Sequence, residues 1–296
     1  MPLIDASQTY QMTNPGAHID ATEVSAVHPN LLDNWYFVGG GSQLGDGVFP
    51  INQRGLTSYT TMGNSIDRWM LFGGSVVLAS DGITVTSSPD FGQIFEPSRL
   101  PVGTYTASVL TAAGVLGSLT FTTTGSQFFA GGAMGNTGVT LNFIDLWAAD
   151  KSLFSLQCAG VKIAAAKLEK GSVSTLANDV PPNFTEELMK CQHYLVVRNF
   201  KQYDVVGNGY AASATIGGFA FYLSSPLKND GNITMTYTSL PSVYGHGAGS
   251  NLSSMSIASI QGNIVRFYMS FTGMTTNTAV CVMATADMTI TISAEL

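Results

Sequence analysis

Between Asn30 and about Lys170 the chain repeats one texture. Short apolar or alternating runs follow one another: WYFV, WMLF, SVVLA, GITVTS, GQIFE, GTYTASVLT, GSLTFTT, SQFFA, VTLNFI, SLFSLQ and VKIAAAKL, separated by Gly and Asp turns. Runs of this length with breakers at this spacing predict an all-β sandwich or barrel. Ile83 and Val85 alternate with Thr84 and Thr86, so that strand buries one face and wets the other. Turns at Asp81-Gly82 and Gly125 help to set register.

The pattern breaks between Gly171 and Gln192. In VPPNFTEELMKCQ, two prolines precede Asn183, and Glu186 follows three residues later, which predicts a capped start for one short helix with Phe184 and Leu188 among its apolar residues. Strands then return with cleaner alternation. Ile233, Met235 and Tyr237 oppose Thr234, Thr236 and Thr238, and Met288, Ile290 and Ile292 oppose Thr289, Thr291 and Ser293. Residues 1–29 show no sustained period and read as an extended arm. The expected order is an arm over 1–29, a sandwich over 30–176, a linker with a short helix over 177–194, and a second β-sandwich over 195–296.

Composition adds an expectation about partners. Only 10% of residues are charged, against 32 glycines and a formal net charge of −7. Hydroxyls and amides must therefore keep the surface wet, and so few ion pairs suit a chain that covers itself with sister copies; we expect a homo-oligomer. Residues 203–296 carry only Lys228, Arg266, Asp204, Asp230, Asp287 and Glu295, which makes that half the expected oligomer core. No basic run offers a phosphate-tracking surface, so nucleic acid is not an expected partner. No apolar run approaches the roughly 20 residues of a membrane span, and the start lacks a signal-peptide pattern, so folding in a reducing cytoplasm is expected. Cys158, Cys191 and Cys281 fit neither a disulfide framework nor a zinc pair and read as buried thiols.

Candidate chemistry is thin. The segment QRGLTSYTTMGNSIDRW concentrates Gln53, Arg54, Asp67, Arg68 and Trp69. A guanidinium held between the Asp67 carboxylate and an aromatic face, with Trp69 pointing inward, makes a fold lock rather than an active site, because no nucleophile and base converge there. Glycoside hydrolysis needs two carboxylates flanking a bond. Glu186 and Glu187 lie on the helix and Asp145 and Asp150 flank Trp147, but acids in such places are more often caps and turn formers. No G-x-S-x-G elbow occurs. His18, His28, His193 and His246 lack metal-ligand spacing, and Cys191 with His193 reads as helix-end packing. For a structural Ca²⁺, Asp33, Asn34 and Asp46 offer oxygens without spelling out a loop.

Sugar recognition calls for exposed rings beside hydrogen-bonding groups. Trp35, Tyr59, Tyr105, Phe128, Phe129 and Trp147 are the aromatic candidates of the first module, most of them expected in its core. In the second, Tyr244, His246 and Asn251 border GHGAGSN, read as a flexible loop over 245–251.

The ordered set NLLDNWYF, INQRGLTSY, IDRWML, AAKLEKGSVST and PPNFTEELMKCQHY resembles the pattern of phage and prophage tail-fibre or appendage proteins, and the ending ISAEL is similar to theirs. The resemblance covers residues 30–195 closely and the rest loosely. It implies a jelly-roll module similar to carbohydrate-binding modules, then a short helix and a C-terminal β domain. It further implies that Gln53, Arg54, Asp67, Arg68 and Trp69 are a structural signature and not a ligand site. GGGSQLGDGVF is an insert relative to that pattern. The expected function is that of a non-enzymatic virion protein assembled as a homotrimer, anchored through residues 1–29 and binding host-surface glycan. A head-fibre, decoration or collar protein is the alternative, and a glycan depolymerase ranks below both.

Overall fold

The computed structural model describes residues 28–41, 47–86, 90–95, 100–125, 128–146, 151–228, 233–245 and 248–295. Nearly all of the arm, together with Asp46, Trp147, Asp150, His18 and His246, lies outside them.

The all-β reading holds. The first module is a sandwich of two six-stranded sheets. One sheet runs β1 (Ser58–Tyr59), β4 (Ser75–Ala79), β5 (Gly82–Thr86), β12 (Lys162–Lys170), β7 (Gly103–Thr111) and β8 (Leu116–Thr123). The other runs β2 (Gly63–Asn64), β3 (Met70–Leu71), β6 (Phe91–Phe95), β11 (Lys151–Gln157), β10 (Thr140–Leu146) and β9 (Phe128–Ala133). The chain passes back and forth between the two sheets, and inward residues of both faces fill one core around Trp69, which stacks on Phe91 at 4.6 Å. Ile83 and Val85 are fully buried, as their alternation requires. Gly82 pairs with Ala79 across the β4–β5 turn and lies against β12, where a Cβ would stand 2.4 Å from the Ile163 carbonyl oxygen.

WYFV is not a strand. Residues 30–37 form an irregular strap on the edge of β12, with Leu31 N donating to Leu168 O, Phe37 N to Ala164 O, and Ala166 N to Trp35 O. One isolated bridge, Tyr36 to Ala165, is all the ladder they make, because Asn34 takes a left-handed conformation at φ 52° and breaks the extended run.

The linker contains a 3-10 turn over Leu176–Asn178 and the predicted helix α1 (Phe184–Gln192). The Asn183 side chain accepts from Glu186 N and caps it. Phe184 and Leu188 pack with Phe49, Ile51 and Cys191 in a satellite core against the first module.

The second module pairs a three-stranded sheet, β13 (Leu195–Phe200), β22 (Met288–Ser293) and β16 (Thr234–Tyr237), with a seven-stranded one. The latter runs β18 (Ala248–Asn251), β17 (Ser242–Gly245), β21 (Thr278–Met283), β14 (Val205–Ala211), β15 (Ile216–Tyr222), β20 (Ile264–Ser270) and β19 (Ser254–Gln261). Its own core includes Phe219, Phe267, Val282, Ile290 and Ile292.

Candidate functional site

The signature residues converge where the two modules and α1 meet. A tight turn over Ile66–Trp69 makes this possible: Trp69 N donates back to Ile66 O at 2.9 Å, and Arg68 sits at φ 71°. Consecutive side chains therefore diverge. Asp67 turns in and is fully buried, while Arg68 turns toward the strap and α1.

Asp67 accepts from Gln53 N at 3.0 Å and from Gln53 Nε2 at 2.7 Å, and Arg54 approaches at 3.7 Å. Gln53 Nε2 also donates to Leu195 O at 2.7 Å, on the first strand of the second module. Arg54 donates to Ser65 O at 3.0 Å and pairs with Glu295 from the far end of that module. Arg68 donates to Asp33 at 3.1 Å and lays its guanidinium over the Tyr194 ring, 3.5 Å from the centroid. The expected guanidinium between carboxylate and ring is thus present, but its partners are Asp33 and Tyr194; Asp67 belongs to Gln53 and Arg54 instead. Trp69 is buried as expected and donates through Nε1 to Asn34 O at 3.0 Å.

Asn34 finishes the junction. Its side chain donates to Ile51 O and Asp67 O, both at 2.8 Å, and accepts from Ile51 N at 2.7 Å, while its backbone N–H donates to Glu187 of α1. Four carboxylates, Asp33, Asp67, Glu187 and Glu295, thereby face three cations, Arg54, Arg68 and Lys190. Burial raises the Asp67 carboxyl to about 7, with Arg54 opposing and Glu295 reinforcing the rise.

A cleft of about 510 Å³ opens beside this network, lined by Asp33, Arg68, Gln93, Lys190, His193 and Tyr194 among others. Its polar groups are engaged: Gln93 bonds to the Asp33 backbone and His193 Nδ1 lies 2.6 Å from Pro226 O. Arg68 already covers Tyr194, so that ring is not free for a ligand. The arrangement locks elements together. It does not poise an acid and a base.

Asp33 and Asn34 do not suit a Ca²⁺ site, since the first pairs with Arg68 and the second spends its oxygen on Ile51. Among the described residues no group of three or more His, Cys, Asp or Glu is placed to hold a metal ion. Glu187 is buried in the junction while Glu186 is exposed, so the two do not face a common bond. Burial pushes the Cys158 thiol up to about 12 and Cys191 well above its usual range, whereas Cys281 is only half-buried.

The expected ligand residues are scattered. Tyr244 stands exposed on β17, and Asn251 on β18 accepts from Ser242 at 2.5 Å. Ala248–Asn251 is an edge strand paired with β17, so the described part of the glycine-rich stretch is strand and not flexible loop. Gly249 leaves room for the Tyr244 ring, whose carbons would stand 3.1 Å from a Cβ there. His246 and Trp147 lie outside the described residues. In the first module Trp35, Tyr59 and Tyr105 are core, the Phe128 side chain is outside the described set, and Phe129 is exposed.

Sequence reasoning missed a second buried cluster. Lys167 and Glu169 of β12 are fully buried; Lys167 Nζ reaches Thr175 and Asp179 at 2.7 Å, and Glu169 accepts from Thr175 N at 2.8 Å. The signal was present in AAKLEK, where two opposite charges at i and i+2 interrupt an apolar run and share one strand face.

Comparison with protein-family models, curated proteins and solved structures yields no match to this chain.

Proposed function

We propose that this chain is a non-enzymatic phage virion appendage protein, assembled as a homotrimer and mediating host-surface adhesion by multivalent glycan binding. The observation that carries the reading is the outer face of the seven-stranded sheet. Tyr210, Tyr222, Tyr244 and Tyr268 are all exposed on strands whose opposite faces form the module's core. Large rings held in water on a rigid sheet mark a contact surface, and rings with polar neighbours suit sugars. The resemblance to appendage proteins supports the same reading, because four of its five ordered motifs, with the ending ISAEL, contribute residues to one junction between the two modules. Several weak sites on one particle raise effective concentration, with avidity gains on the order of 10² to 10⁴. Residues 1–29 would supply the anchor to other virion proteins.

Labelled protein applied to host cells tests this. The reading expects surface decoration that is lost when periodate oxidises the cell glycans, and a trimeric mass in sedimentation. Decoration of virion heads or collars without any cell binding would favour the purely structural alternative.

A further inference from the structure

The outer face of the seven-stranded sheet contains a trough at its centre. Register places Tyr210 on β14, Gly218 on β15 and Tyr268 on β20 in one row across the sheet, and Asn208, Ala220 and Arg266 in the next. The middle strand contributes only Gly218 and Ala220, so its backbone is a floor; β14 and β20 are the walls. Two strand spacings set the walls about 10 Å apart, and the rows lie about 7 Å from each other along the strands. Ile216 and Tyr222, 51% and 70% exposed, stand at the two ends of the floor. Tyr210 and Tyr268 are 59% and 61% exposed, although Val265, Phe267 and Met269 on the same strand as Tyr268 are buried. The rings are therefore outward by strand alternation, not by fraying.

Charge gives the trough a polarity. Arg266 is exposed in its wall, and the other charges of this module are engaged elsewhere: Asp204 accepts from Lys201 N, Asp287 pairs with Lys201, and Glu295 pairs with Arg54. Asp230 lies outside the described residues. Among the described residues, then, no carboxylate pairs with Arg266. A guanidinium that pairs with no acid among the described residues, beside two exposed tyrosine rings and an amide, fits a ligand with an apolar ring face and a carboxylate on the same unit.

We infer that this trough binds an acidic oligosaccharide, with a pyranose ring against Tyr210 and Tyr268 and a uronate or sialate carboxylate on Arg266. The inference rests on the adhesion reading above and assigns it a place and a sugar class.

The test titrates full-length protein with a panel of uronate- and sialate-containing oligosaccharides, their carboxyl-reduced counterparts, and polyglutamate as an anion without a ring. Saturable binding to at least one acidic sugar is expected, about tenfold weaker to its carboxyl-reduced form, and none to polyglutamate. Tyr210→Ala, Tyr268→Ala and Arg266→Ala are each expected to weaken binding about tenfold or more with unchanged thermal unfolding. Ala220→Leu, which fills the floor, is expected to abolish it. No binding to any acidic sugar overturns the inference. Cell decoration that survives all four substitutions also overturns it and leaves adhesion standing, whereas absence of cell decoration by the wild type removes the adhesion reading itself. A change of oligomeric state in the tyrosine variants would identify the face as a subunit contact and likewise overturn the inference.

Discussion

Asp67 shows how much one buried group decides. Its unfolded carboxyl has a reference value of 3.8, and burial raises the folded value to about 7. Between those values the folded state keeps a proton that the unfolded chain releases. Stability therefore falls as pH rises from about 4 to 7 and is flat above, a loss of roughly 4 kcal/mol. Urea denaturation at pH 5 and pH 7.5 should show the wild type weaker at the higher pH. Asp67→Asn should remove that difference, because its side chain takes up no proton. At pH 5 the variant should still be destabilised by about 1–3 kcal/mol, since its amide meets the Gln53 donor where an oxygen stood. Arg54→Met should be worse, about 3–5 kcal/mol, since it leaves Asp67 and Glu295 facing each other without their cation. The residue types of this site were readable in QRGLTSY and IDRWML, but their pairing was not. Adjacent Asp67 and Arg68 invited a direct pair, and only the left-handed Arg68 backbone sends them to different partners.

At the scale of elements, β12 does more than its apolar run suggests. One side packs into the sandwich, the other meets the linker through Lys167, Glu169, Thr175 and Asp179, and the edge carries the strap. Lys167→Met should cost about 3–5 kcal/mol, because Glu169 and Asp179 lose their buried cation. Hydrogen exchange should then quicken over residues 171–179 before β7 and β8. Strands with strict alternation, such as β5, β20 and β22, were legible because one face is dry and the other wet. The strap was not: WYFV has strand composition, but Asn34 must bend the backbone to reach Ile51 and Asp67. Tyr268 was also legible, as an exposed member of the alternating run IVRFYMS, whereas the bulge between Val205 and Gly207 breaks the alternation that would have marked Tyr210.

Across the whole molecule the signature acts as a junction. Residues from the first module, α1 and the second module share one buried network, and removal of a group from one module must be felt in the other. Glu295 is the sharpest probe, because it belongs to the second module and touches Arg54 and Arg68 of the first. Scanning calorimetry of the wild type and Glu295→Ala tests this most directly. One cooperative unfolding transition is expected for the wild type and two for the variant. Two separate wild-type transitions, with Glu295→Ala moving only that of the second module, would contradict it.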